Sequence, residues 1–260
     1  LVARWQLLGF VHGLMNTDNM LLSGETVDYG PCAFMESYDP ATVFSSIDHQ
    51  GRYAYANQPA IAQWNLTRLA EALLPLIDAD SGRAIERAKG ALDAFPARFT
   101  NARSKGLAAK LGLDSRLNEE DLQLGEDLLT ALQADAADFT LAFRLLADEA
   151  HPAGAGTGAG ALMAPGTALL EWLPRWKQRL EREGGEPAER QRRMFAVSPA
   201  FIARNHLVQR AIEQGEDGDF SFFHRMAKRL ASPADWDASD TDLALPAEPQ
   251  ERVHQTFCGT

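Results

Sequence analysis

The sequence predicts a mainly α-helical protein with one short β-hairpin near its start. Three observations predict this. From Pro59 onward, apolar residues recur at helical spacing. The runs Met20–Leu22 and Thr26–Tyr29 flank Ser23-Gly24-Glu25, a tight-turn pattern between two short strands. Between residues 31 and 58, Pro31, Asp39-Pro40, Asp48–Gly51 and Asn57-Gln58-Pro59 interrupt any regular pattern.

In chain order, Leu1–Phe10 reads as the end of a helix, weakened by Gly9 and stopped by His12-Gly13. The hairpin follows, and Gly30-Pro31 closes it. A connection as long as residues 31–58 is uncommon in a compact domain and is often functional. Pro59 suits a first helical turn, and Ile61, Trp64, Leu66, Leu69, Leu73, Leu76 and Ile77 mark an expected core-facing stripe. Further helices are expected over Arg83–Phe99, Asn101–Leu111, Glu119–Ala150, Thr167–Glu183, Pro199–Glu213 and Phe220–Leu230. Ser198-Pro199 has the form of an N-cap followed by proline at the first helical position. His151–Gly166 is glycine-rich but fits neither GxGxxG nor GxxxxGK[ST], so a flexible linker is expected. Ser232–Gln250, rich in Asp, Pro and Ala, is expected to lie extended over the surface.

The 260 residues carry a net charge of −11, which argues against phosphate-backbone binding to nucleic acid. The cluster Arg190, Arg192 and Arg193 lies among glutamates and reads as a solvated helix face. No apolar run reaches the ~18–20 residues needed to span a bilayer, so no membrane partner is expected. Cys32 and Cys258 form no disulfide framework and no metal-ligand cluster, which fits a reducing cytoplasm. The chain opens on Leu1 in LVARWQLLGFV, a string that reads as mid-helix, so residue 1 is not expected to be the natural start.

The chemistry concentrates in HGLMNTDNMLLSGETVDYG, His12 to Gly30. The kinase catalytic loop H-R-D-x-x-x-x-N followed by D-F-G lays onto it. His12 takes the histidine place, Asn19 the asparagine place and Asp28-Tyr29-Gly30 the D-F-G place. Leu14 takes the aspartate place and cannot act as a base. An Asn oxygen and an Asp carboxylate at the two ends of a hairpin can converge on one magnesium ion, a hard cation that takes oxygen ligands. Asp18, beside Asn19, is then the candidate acceptor of a proton from an attacking hydroxyl. His12 reads as an architectural hydrogen-bonding residue.

The strings HGLMNTDNM, VDYGP, YDP, DHQGRYAYANQPAIAQWNLTRLAEALLPL, SPAFIARNHLVQRAIE and EDGDFSFFHRMAKRL, with a near-terminal cysteine, resemble the selenoprotein O family of pseudokinases. The resemblance covers most of the chain. It implies a protein-kinase-like C-terminal lobe over residues 1–150, with the catalytic-loop hairpin, and a family-specific helical extension over 151–260. It implies transfer of AMP from ATP, bound in a flipped orientation, to Ser, Thr or Tyr hydroxyls of proteins. It implies Asp18 as general base and Asn19 and Asp28 as ligands of Mg2+ or Mn2+. Residues 31–57 would correspond to an activation segment, in which Asp48, His49, Arg52 and Tyr53 read as structural.

Two departures from the family pattern stand out. The glycine-rich loop, its lysine and the residues that grip the flipped phosphates lie upstream in the family, so these 260 residues alone are expected to bind ATP weakly or not at all. Where family members carry a cysteine partner for the near-terminal cysteine, this chain has Phe44, which puts a Cys32–Cys258 link in doubt. Two rival readings stay open: a phosphotransferase of the small-molecule-kinase type, against which Leu14 speaks, and a helical scaffold without turnover.

Overall fold

The computed structural model describes residues 1–113, 117–151 and 158–257. Its architecture is mainly helical, as expected, and its contacts divide the chain into two compact units. Among the described residues, no helix is long and apolar enough to cross a membrane.

The first unit comprises Leu1–Cys32, Pro40–Ser104 and the tail from Gln255. Helix α1 (Val2–Leu8) ends where Gly9 turns left-handed at φ 70°. Strand β1 (Phe10–Val11) follows, and Val11 and His12 are fully buried. The expected hairpin shrinks to a single antiparallel bridge, Met20 to Thr26, closed by a turn from Leu21 to Gly24. A four-residue turn with one bridged pair is too short for a ladder, so the loop is held instead by side chains. The Trp5 indole N–H, for example, donates to the Thr26 hydroxyl at 2.9 Å.

Helix α2 (Gln58–Ile77) has Pro59 in its first turn, as expected. Its packed face, however, is not the apolar stripe. Gln58, Ala62 and Asn65 are buried, four and three residues apart on one side of the helix, while Trp64, Leu73 and Leu76 are exposed. Helix α3 (Ser81–Lys110) runs unbroken where two helices were expected. Pro96 removes a single backbone donor, which so long a helix tolerates.

The second unit comprises Ala33–Asp39, with strand β2 (Ala33–Phe34), and Lys105–His254, so residues on both sides of position 150 belong to it. Helix α4 (Glu119–Ala134) begins with a reciprocal Asn118–Asp121 capping box. The expected single helix over Glu119–Ala150 breaks before α5 (Phe139–Glu149). Ala136 adopts φ 46° and Asp138 caps the new helix through the Leu141 amide, so local capping overrides the continuous apolar pattern. Asp135, inside the break, accepts from Ala168 and Leu169 and so caps α6 (Thr167–Glu183). In α6 the Trp172 and Trp176 indoles donate to the carbonyls of Leu124 and Leu111.

Helix α7 (Pro187–Val197) ends at Ser198, and α8 (Asn205–Glu216) starts only after Arg204. The Ser198-Pro199 start signal therefore fails. The amides of Ala200 and Phe201 donate to the Pro233 carbonyl and hold that stretch out of the helix. Arg190 is buried and donates to the carbonyls of Leu180 and Gly184, so only Arg192 and Arg193 of the basic cluster face solvent. Helix α9 (Ser221–Leu230) lies where expected.

Two further expectations change. Pro152–Thr157 of the glycine-rich segment lie outside the described residues, but Gly158–Gly166 is packed, not free. The Gly160 amide donates to Asp148, and a Cβ on Gly160 would sit 2.5 Å from the Leu145 backbone. The segment Ser232–Gln250 is not merely draped on the surface. It carries α10 (Thr241–Ala244), whose Leu243 and Ala244 join a buried cluster with Phe201, Leu207 and Met226. In the same unit Arg204, fully buried, pairs with Asp138 at 2.8 Å and Glu36 at 3.1 Å.

Candidate active site

The three residues singled out in the sequence lie in the first unit, on a loop with almost no ladder of its own. Asn16–Asn19 forms one 3-10 turn, closed by the Asn19 amide donating to the Asn16 carbonyl at 3.0 Å. Asp18 sits on that turn with its carboxylate exposed. Asn19 and Asp28 are brought together: the Asn19 side-chain amide donates to Asp28 Oδ2 at 2.8 Å and to the Leu14 carbonyl at 3.0 Å.

Asp28 itself has φ 59°, left-handed backbone that a non-glycine residue adopts at a cost. Its Oδ1 accepts from the Gly30 amide at 3.1 Å, an Asx turn that helps offset that cost. The loop is thus wound so that the Asp28 carboxylate faces Asn19.

Buried polar side chains hold the surrounding backbone. His12 Nε2 lies 2.8 Å from the Val27 carbonyl, which ties the start of the loop to the residue before Asp28. Its Nδ1 accepts from the Leu14 amide, so Nε2 carries the proton and donates. Burial holds the His12 pKa below the usual histidine value, so the ring is a neutral strut, as the architectural reading expects. Gln58, fully buried at the start of α2, accepts from the His12 amide at 2.9 Å and donates to the Phe10 carbonyl at 2.9 Å. One helical stretch further, Asn65 donates to the Met15 carbonyl at 2.9 Å. Gly13, at φ 82°, lets the loop approach the Pro31 backbone, where a Cβ would fall 2.7 Å from the Pro31 oxygen.

The segment after Asp28 is anchored in the same unit. Asp48 accepts from the amides of Arg52 and Tyr53, both at 2.8 Å. The Tyr53 hydroxyl then donates to Asn16 Oδ1 at 2.7 Å, two residues before Asp18. The tail closes on the same region. Thr256 exchanges backbone hydrogen bonds with Phe44 and Ser46, and its hydroxyl donates to the Pro31 carbonyl at 2.5 Å. Asn16, Tyr53, Gln58 and Asn65 lie inside the strings that carry the family resemblance, yet of these only Tyr53 was read as structural, and Thr256 lies outside them. Periodicity did not set Gln58 and Asn65 apart from Gln63, Thr67, Arg68 and Glu71, the other polar residues of α2.

The donor set fits a hard divalent cation. Asn19 spends both amide hydrogens on Leu14 and Asp28, which leaves its oxygen for a cation, and each Asp28 oxygen keeps a lone pair beyond its single hydrogen bond. Two protein ligands suit magnesium, which keeps its other positions for water and substrate phosphate. Among the described residues no cluster of three His, Cys, Asp or Glu offers an all-protein cage. Cys32 is not poised for redox chemistry: its thiol donates to the Tyr29 carbonyl, and burial pushes its pKa up to about 11. Cys258 lies outside the described residues.

Comparison with known proteins gives the family. The family model described as protein adenylyltransferase SelO matches residues 1–231. The chain is similar to the protein nucleotidyltransferase YdiU of Rhizobium etli, 51% identical over 100% of this chain and 52% of the relative. Those of a Bradyrhizobium species and Cereibacter sphaeroides are 53% and 52% identical, again over the whole chain and 53% and 52% of their own lengths. The chain thus spans about half the length of the curated relatives it matches. With a family model matching nearly its full length and the Asn19–Asp28 pair in place, the chain belongs to the SelO family of protein adenylyltransferases.

Proposed function

We propose that this chain forms the C-terminal, kinase-like lobe of a cytoplasmic enzyme that transfers AMP from ATP to Ser, Thr or Tyr hydroxyls of proteins. Family membership supports the reaction class. The observation that carries the residue assignment is the 2.8 Å contact between Asn19 and Asp28, which gathers oxygen ligands from both ends of the loop.

In this reading Asn19 Oδ1 and the Asp28 carboxylate hold Mg2+ or Mn2+, which supplies charge neutralisation at the phosphates when bound. Asp18 takes the proton of the acceptor hydroxyl as its oxygen attacks the α-phosphorus of ATP. The bond to the bridging oxygen of the β-phosphate breaks and pyrophosphate leaves. The exposed position of Asp18 leaves room for a protein acceptor to bring its hydroxyl within reach. His12, Gln58 and Asn65 hold the loop backbone still, so that little reorganisation is needed at the moment of reaction.

The test uses the full-length polypeptide that contains this chain, with protein acceptors and ATP labelled at either the α- or the γ-phosphate. Label transferred from the α-phosphate, lost on chelation and lost in Asp28→Ala, is the expected result. Label transferred from the γ-phosphate marks a phosphotransferase, and transfer of neither marks a scaffold.

A further inference from the structure

Arg52 stands apart from the other arginines near the loop. It is exposed, and its guanidinium carbon lies 4.8 Å from the ring centroid of Trp64 and 5.7 Å from that of Tyr53. Arg68 lies over the same indole at 5.2 Å, but it is paired with Glu71 at 2.8 Å. Arg52, by contrast, makes its side-chain contacts with the two rings. Asp48 is committed to the backbone amides of Arg52 and Tyr53.

The position matters as much as the charge. Arg52 adjoins Tyr53, whose hydroxyl grips Asn16 on the turn that presents Asp18. The indole shelf restricts the guanidinium without using its N–H donors, because the attraction is to the ring face. Restricting the side chain in advance lowers the entropy lost when a ligand binds. The planar fork matches a carboxylate in a way a lysine ammonium does not.

We propose that Arg52 reads an acidic side chain on the acceptor protein, close in sequence to the hydroxyl that receives AMP. This rests on the reading of Asp18 as the base at that hydroxyl. Arg52 is a specificity residue for the acceptor and has no part in holding the nucleotide.

The test uses the full-length polypeptide and a degenerate peptide library, each peptide with one Ser, Thr or Tyr and randomised neighbours, labelled from α-labelled ATP. The expected result is enrichment of Asp and Glu beside the modified hydroxyl. Arg52→Gln abolishes the enrichment and raises KM for an acidic peptide by roughly tenfold, the loss of one charge-assisted contact, with a smaller change in kcat. Arg52→Glu shifts the preference to Lys and Arg, which a folding defect would not do. Labelling without acidic enrichment, enrichment that survives Arg52→Gln, or a KM change for ATP in place of the peptide overturns this proposal and leaves the transferase reading intact. If no peptide is labelled from the α-phosphate, both fall.

Discussion

Asn19 and Asp28, nine residues apart, meet at 2.8 Å because a left-handed residue at position 28 turns the chain back toward the turn at Asn16–Asn19. The contact joins the Asn19 amide N–H to an Asp28 oxygen, yet the backbone at Asp28 is strained to make it. Asp28→Asn keeps only one of the two hydrogen bonds that the carboxylate accepts, from Asn19 or from Gly30, tolerates the left-handed backbone and removes the charge. We expect it to unfold within a few degrees of the parent while AMP transfer by the full-length polypeptide falls roughly a hundredfold or more. Thermal melting beside a transfer assay checks this, and an active variant would remove Asp28 from the metal site.

Gly13→Ala should be poorly tolerated although the change is one methyl. The new Cβ would meet the Pro31 oxygen at 2.7 Å, at a φ of 82° that alanine disfavours. A loss of about 1–3 kcal/mol in urea unfolding is expected, comparable to other left-handed and overpacked sites.

Gln58→Leu has nearly the same volume but cannot hydrogen-bond. It would remove the buried hydrogen bonds that Gln58 makes to the Phe10 carbonyl and from the His12 amide. The expected cost is roughly 2–4 kcal/mol by denaturant titration. A near-neutral result would mean that water replaces the side chain.

The pH dependence of stability has a definite sign at the histidines. Burial lowers the pKa of both His12 and His206 below the unfolded value of 6.5. Their contribution is therefore fully present above pH 6.5 and is lost as pH falls below it, because the unfolded chain binds protons first. His12→Gln with His206→Gln should flatten the fall in melting temperature below pH 6.5. A slope equal to that of the parent would assign the acid sensitivity elsewhere.

Arg204→Met should be more damaging than any surface substitution. It would leave Asp138 and Glu36 without the buried cation that now sits 2.8 and 3.1 Å away. A cost of about 3–5 kcal/mol is expected. The triple change with Asp138→Asn and Glu36→Gln should recover part of it, as equilibrium unfolding would show.

Three helices were legible in the sequence: α2, α6 and α9 lie close to where periodicity puts them. The misplaced boundaries share a cause. At Asp135–Asp138 and at Ser198–Arg204, distant partners compete with the helix for the backbone or its caps, and spacing along one chain does not reveal them. The stripe on α2 misled for a related reason. Its buried side is polar because it grips the loop backbone, and periodicity weighs only apolar residues. The site residues were legible because Asn19 and Asp28 carry their chemistry in side chains. The residues that steady them act on main-chain groups, and periodicity does not set them apart.

That grip by α2 has a kinetic consequence. The bonds from Gln58 and Asn65 close loops of 46 to 50 residues, and the turn at Asn16–Asn19 has little local pairing to fall back on. Chain closure of that length is slow relative to helix growth, so the turn acquires its shape only after α2 has docked. The part of the molecule richest in chemistry thus takes its shape from partners 46 to 50 residues away, not from its own neighbours.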